Sequence, residues 1–179
     1  MTIDQIIEEV LKAEGRYVNN PDDRGGETNW GITKAVARAN GYNGAMRDLP
    51  RSTAKQIYLT RYVVQPAFDK IAVLSPAVAA ELVDTGVNMG PVVAARFLQR
   101  ALNALNQRGA DYPELVVDGS AGPGTRTALT KYLAKRGAEG ERRLIALLNA
   151  LQGSRYVELC EGRQANETFM YGWLARVAV

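Results

Sequence analysis

Amphipathic helical periodicity recurs along most of this chain, and one segment in its first half breaks it. Ile3, Ile6, Ile7, Val10 and Leu11 fall at i, i+3, i+4, i+7 and i+8, the apolar stripe of a core-facing helix. Thr2 with Gln5 three residues later has the spacing of a capping box. Gly15 is the expected left-handed stop, which leaves Glu14 in the last turn. Residues 16–31, RYVNNPDDRGGETNWG, then abandon the period. Asn, Asp, Pro and Gly make turns by side-chain capping or by positive φ, so a structured loop is expected here, with a short hairpin at Arg24 to Thr28.

Helical signals resume at Thr33 to Asn40 and from Ser52 to about Gln65, where Pro66 follows. Ser75-Pro76 reads as an N-cap with Pro at the first helical position. Residues 77–89 are almost all apolar, which predicts a central, largely buried helix ended by Gly90-Pro91. The next helix runs to about Asn106, and the longest loop follows from Gly109 to Gly124. Further helices are expected at 125–135, 141–160 and 167–177. No internal repeat is visible. The reading is a mainly α globule of about seven helices, with an irregular loop or short hairpin after helix 1.

Composition narrows the chemistry. The 179 residues contain no His, which excludes Ser-His-Asp and Cys-His catalysis, His-ligated metals and His proton shuttling. The single Cys160 excludes an internal disulfide and a multi-Cys metal site; it reads as a buried small hydrophobe. Acid–base work therefore falls to carboxylates, Lys, Tyr or that thiol. Lys plus Arg number 22 and Asp plus Glu 19, a net charge of +3, too mild and dispersed to indicate nucleic acid by itself. The N-terminus shows neither a basic n-region nor a continuous apolar h-region. No apolar run reaches the ~18 residues of a membrane span. Synthesis in the cytoplasm without a signal peptide and no stable membrane insertion are the expectations.

Within the irregular stretch Glu14, Asp23 and Thr28 follow one another at short spacing. Glycoside hydrolysis needs two carboxyl groups in different environments, one protonated to donate to the leaving oxygen and one to activate water or attack the sugar. The negative end of a helix works against ionised Glu14, whereas Asp23 sits in a wet, Gly-rich loop. Arg16 and Arg24 oppose this wherever they approach Glu14. Taken alone, the two acids read more simply as a solvated helix end and a turn former.

The surrounding string decides between these readings. Glu14-Gly15-Arg16-Tyr17-Val18-Asn19-Asn20-Pro21-Asp22-Asp23-Arg24-Gly25-Gly26-Glu27-Thr28-Asn29-Trp30-Gly31-Ile32-Thr33 closely resembles the signature of glycoside hydrolase family 108, N-acetylmuramidases found as phage endolysins and secretion-linked enzymes. VVDGSAGPGT at 116–125 and FMYGWL at 169–174 resemble that family's peptidoglycan-binding region. The family usually has two Gly after its Glu; here the second is Arg16. The Thr spacing is one residue shorter than in phage lysozymes.

The resemblance implies a lysozyme-like fold, with a catalytic region at 1–90 and a peptidoglycan-binding region at 91–179 packed into one unit. It implies hydrolysis of the β-1,4 bond between N-acetylmuramic acid and N-acetylglucosamine, with Glu14 as catalytic acid and Asp23 and Thr28 around the attacking water. Inversion of configuration is expected by analogy. No cofactor and no metal are expected. The partners are bacterial peptidoglycan and a holin-like pore or export helper that gives a monomeric enzyme access to the wall in the periplasm or envelope. Two rivals stay open: a lytic transglycosylase, which works with one acid and no water, and an inactive peptidoglycan-binding accessory protein.

Tyr17, Asn20, Gly26, Asn29 and Trp30 surround the proposed acids as candidate sugar contacts. The two aromatic rings are equally readable as packing anchors. Asn88, Gln99 and Asn103 are polar positions on apolar helices, candidates for a saccharide cleft or else for plain exposure or internal hydrogen bonds. Asp118 reads as a turn residue, with Thr125 capping the next helix. Phe169, Tyr171 and Trp173 are expected to anchor the last helix.

Overall fold

The computed structural model describes residues 1–14, 16–19 and 26–177. Eight α-helices account for most of them: α1 (Ile3–Ala13), α2 (Lys34–Ala39), α3 (Arg51–Leu59), α4 (Phe68–Leu74), α5 (Pro76–Met89), α6 (Pro91–Ala104), α7 (Pro123–Gly162) and α8 (Glu167–Leu174). Two strands, β1 (Thr28–Asn29) and β2 (Ile32–Thr33), form an antiparallel hairpin. The mainly α reading holds.

Helix boundaries follow the expected chemistry. The Thr2 side chain accepts from the Gln5 N–H while the Gln5 side chain accepts from the Thr2 N–H, so two end donors are satisfied reciprocally. Ser75 caps α5 through Val78 N–H at 3.0 Å, and its hydroxyl also bonds Glu141 Oε1 at 2.6 Å. The α5 helix is the apolar axis of the fold: Val78, Ala79, Leu82 and Val83 are essentially inaccessible. It packs against α1, α4, α6 and α7. Ile6, Ile7, Val10 and Leu11 of α1 join the same core, which fixes the direction in which α1 points its C-terminal end. Lys55 of α3 reaches Asp4 at 2.6 Å and Glu8 at 2.8 Å, and Arg51 pairs with Glu8. These exposed pairs orient α1 and α3 more than they stabilise them.

Several expectations are corrected. A hairpin is formed at 28–33; of the one expected at Arg24 to Thr28, residues 24 and 25 lie outside the described residues. The helix expected from Ser52 to Gln65 is α-helical only to Leu59 and continues as a π-helical turn, Thr60–Val64. Its extra residue per turn follows from Gln65 N–H bonding Thr60 O at 2.9 Å. The helix α4 had no periodic signal because it is only seven residues long. Within α7 the two helices expected at 125–135 and 141–160, with Gly137 and Gly140 as breaks, are both present: the backbone leaves helical geometry at Gly137, with φ of 57° and ψ of −154°, while Gly140 lies within the second helix. The N-cap of α7 is Gly122, not Thr125. Cys160 is half-buried, not buried. Trp173 stacks on Tyr156 with ring centroids 5.1 Å apart, whereas Tyr171 is 90% exposed and anchors nothing.

Between α6 and α7 the chain runs without regular structure, and one stripe of amide side chains holds it. Gln99, Asn103 and Asn106 recur at helical spacing. Asn103 donates to Leu115 O at 2.8 Å and accepts from Leu115 N–H at 2.9 Å. Asn106 donates to Tyr112 O at 2.7 Å and accepts from its N–H at 3.1 Å. Each amide thereby replaces a neighbouring strand, so loop backbone groups next to the core keep partners.

A carboxyl group on α5 is poorly accommodated. Burial first, and then the charge of Asp84, push the Glu81 carboxyl up to about 7, against the opposing hydrogen bond from Asn149. A carboxyl raised in the fold costs stability as pH rises from the ordinary range near 4.5 through 7. Glu81→Gln should therefore melt like the parent at pH 4 and about 3 °C higher at pH 8; equal melting temperatures at both pH values would contradict this environment for Glu81.

Candidate active site

The site begins where α1 ends. Glu14 is its C-cap, with φ −70° and ψ −13°, and its N–H bonds Val10 O at 2.9 Å. Its side chain is exposed at the negative end of the helix. Among the described residues it takes part in no ion pair. Arg16 therefore leaves it unpaired, while Arg24 lies outside the described residues.

The chain then returns along the hairpin. Val18 and Thr28 exchange N–H···O bonds of 2.9 Å in both directions, and Thr28 also pairs with Thr33, Asn29 with Ile32. Asn29 and Ile32 are buried, so Thr28 and Thr33 occupy the opposite face. The connecting residues Trp30 and Gly31 both have positive φ, 54° and 71°, the conformation a two-residue type I′ turn requires. For Trp this is a strained backbone, and its surroundings impose it. Trp30 Nε1 donates to Leu49 O at 3.1 Å, and the Tyr58 hydroxyl donates to Trp30 O at 3.2 Å. The Arg51 guanidinium lies 5.9 Å from the indole.

Gly31 is where the elements converge. A Cβ there would lie 2.7 Å from Glu14 Oε2, 2.7 Å from the Tyr58 hydroxyl and 2.8 Å from Glu14 Cδ. The Glu14 carboxyl group and the Tyr58 hydroxyl thus both rest on the Gly31 backbone. Burial, then the charge of Glu14, then Tyr62 raise the Tyr58 hydroxyl well above its ordinary range, so it remains a neutral donor. Tyr62 stacks on Tyr58 with centroids 5.7 Å apart, and the Arg61 guanidinium lies 5.6 Å from the Tyr62 ring. A small depression of about 70 Å³ opens beside them, lined by Gly31, Thr33, Val36, Tyr58, Arg61 and Tyr62 among others.

The other expected site residues separate into groups. Tyr17 donates to Glu27 Oε1 at 3.0 Å beneath the Arg47 guanidinium, 5.2 Å from its ring. The Lys34 ammonium at 3.0 Å and the Tyr17 hydroxyl hold the Glu27 carboxyl below its usual range. These residues border a polar depression of about 360 Å³. Asn29 is buried and donates to Met46 O at 2.8 Å and Arg47 O at 3.2 Å, so it docks the hairpin on the 3-10 turn Met46–Asp48. Gln99 is 2% exposed, and both its amide atoms bond the 118–125 segment. Asn103 likewise holds Leu115, so these two take the internal-bonding alternative. Asn88 is exposed and bonds back to Asp84 O at 2.8 Å. Gly26 is exposed with φ +67°. Asp23 and Asn20 lie outside the described residues.

Sequence reading missed Tyr58, Arg61, Tyr62 and the second role of Gly31. The Tyr58-x-x-x-Tyr62 spacing was the available signal, since residues four apart share a helix face. Nothing local to Gly31 announces that a carboxyl group from α1 rests on it.

Gly31→Ala tests this convergence. The methyl group must displace Glu14 or Tyr58 and also take up a strained φ, so stability should fall by about 1–3 kcal/mol. Hydrolysis of peptidoglycan, the activity the sequence resemblance implies, should fall about 100-fold, beyond what unfolding explains. Gly41→Ala has a φ of +86° but no neighbour within 4 Å; it should cost similar backbone strain and leave hydrolysis intact. Equal hydrolysis by both variants would contradict the convergence.

Among curated proteins none matches. A solved structure, SagA of Brucella abortus, is 27% identical, covers 98% of this chain and 88% of its own, and superimposes with a TM-score of 0.63. The model of the family described as glycosyl hydrolase 108 matches residues 7–90, and that of a predicted peptidoglycan domain matches residues 93–178. Residues 7–90, which carry Glu14 at the end of α1 and the Thr28–Thr33 hairpin, thus match the glycosyl hydrolase 108 family, and they are followed by a predicted peptidoglycan domain at 93–178.

Proposed function

We propose that this peptidoglycan-degrading glycosidase is an N-acetylmuramidase that hydrolyses the β-1,4 bond between N-acetylmuramic acid and N-acetylglucosamine, with Glu14 as general acid. The observation that carries the reading is the exposed Glu14 carboxyl at the end of α1, fixed over Gly31 beside the Tyr58 hydroxyl. A general acid must be held in place, open to the substrate and protonated when substrate binds. Glu14 stands exposed at the end of α1, and no cation among the described residues pairs with it. Tyr58, a permanent donor, orients the turn on which Glu14 rests.

Glu14 gives its proton to the glycosidic oxygen as the bond to the anomeric carbon breaks. Asp23, as base, takes a proton from water while the water oxygen bonds the anomeric carbon, and Thr28 positions that water. Atoms and charge balance without a cofactor or metal, and inversion follows if water attacks directly. Tyr17, Asn20, Gly26 and Trp30 are proposed as sugar contacts. Asn29 supports the hairpin from beneath. We assign residues 1–90 to catalysis and 91–179 to wall binding. The enzyme acts as a monomer on the wall, as an endolysin or secretion-associated muramidase that reaches its substrate through a pore or export helper.

The decisive comparison is Glu14→Gln and Asp23→Asn against the parent on isolated sacculi, with circular dichroism to confirm folding. Both variants should release reducing ends at least about 100-fold more slowly. Full activity in Glu14→Gln would remove the assigned acid. Activity surviving in Asp23→Asn would favour a transglycosylase, and sacculus binding without release by the parent would favour an accessory protein.

A further inference from the structure

The groove between the two regions matched by family models carries a charge pattern that sugar hydrolysis does not use. It is a depression of about 440 Å³ lined by Arg61, Ala67, Val92, Ser120 and Arg126 among others. Arg61 also lines the small depression at Gly31 and Tyr58. Arg126 is shared with a second depression, of about 520 Å³, which Lys70 and Lys131 border. Arg61 and Arg126 therefore link the Glu14 site across the seam to α7; Lys70 beyond them is paired with Asp69 at 3.0 Å, and no carboxylate among the described residues lines either of the two larger depressions.

The walls of the seam are built rather than loose. Gly119 sits against α6 so closely that a Cβ would meet Val92 Cγ1 at 2.6 Å. Buried Gln99 holds the loop at that distance: it accepts from Gly119 N–H at 2.9 Å and donates to Ser120 O at 3.0 Å and Asp118 Oδ1 at 2.7 Å. Arg126 is half-buried, with Nη1 bonded to Ala121 O at 2.8 Å, which aligns the guanidinium while its remaining donors stay available. On the opposite wall the π-helical turn carries Arg61, and Ala67 has the left-handed φ of 61°. Irregular helical turns and strained non-glycine backbone concentrate at functional sites. Among the described residues neither Arg61 nor Arg126 has a carboxylate partner within 4 Å.

We propose that this seam binds the peptide stem of peptidoglycan through its carboxylates, with Arg61 and Arg126 as the carboxylate-binding groups. The inference rests on the muramidase reading for its substrate class. A muramic acid unit carries, besides its sugar ring, a short peptide with free carboxylates, and a guanidinium presents paired donors to such groups. The stem of a sugar bound at Glu14 would have Arg61 as its first cation and Arg126 as its next.

The test separates this proposal from catalysis. A free stem tetrapeptide with intact carboxylates is titrated into the full parent chain and into Arg61→Gln, Arg126→Gln and Arg126→Lys, followed by nuclear magnetic resonance shifts. The peptide should perturb residues 61–67 and 119–126. Each Gln substitution should weaken binding about tenfold, Arg126→Lys should weaken it less, and peptide with amidated carboxylates should bind as poorly as the Gln variants do to the free acid. Equal binding by parent and both Gln variants, or no perturbation at the seam, overturns the proposal, as does polyglycerol phosphate binding there while the peptide does not. None of these readouts needs Glu14, so a failed muramidase assignment and a failed stem site give different results.

Discussion

Two consecutive left-handed residues, Trp30 and Gly31, are the constraint on which the site depends. An antiparallel pair of two-residue strands cannot hold such a turn by itself. The strain at Trp30 persists because the indole N–H reaches Leu49 O, the Tyr58 hydroxyl reaches Trp30 O, and Asn29 beneath is bonded to Met46 and Arg47. The turn thus gathers the 3-10 segment, α3 and the end of α1 at one glycine. Replacing that glycine would leave the helices in place and lose the relation among them.

The core serves this relation from a distance. The α5 helix is buried along most of its length, α1 packs on it through Ile6, Ile7, Val10 and Leu11, and α3 packs on α1. The position of Glu14 is therefore set by side chains one to two turns upstream, while its exposure follows from its place past the last apolar residue. Beyond α6 the same economy recurs: one stripe of amides, Gln99, Asn103 and Asn106, replaces secondary structure across a long connection, and Gln99 holds the Gly119–Ser120 loop that borders the basic seam.

What the sequence discloses follows from which interactions are local. Capping at Thr2 and Ser75, the stop at Gly90 and the apolar run of α5 depend on neighbours a few residues apart, and each was legible. The placement of Glu14 at a helix end was legible for the same reason. The π-helical turn after Leu59 was not, because a continuous helix and a helix with one extra residue present the same apolar spacing over so short a span. Tyr58 and Arg61 were missed because their importance comes from residues 28 to 65 positions away. Gln99 and Asn103 were ambiguous because a buried amide on an apolar helix suits a ligand or a loop equally, and only the fold shows which carbonyls it faces.

The most direct measurement is the identity of the new chain ends in a sacculus digest, determined by mass spectrometry after borohydride reduction. The account predicts that the reduced terminal sugar is muramitol, derived from N-acetylmuramic acid. Reduced N-acetylglucosamine, or anhydro-muramic ends that borohydride leaves unchanged, would contradict it.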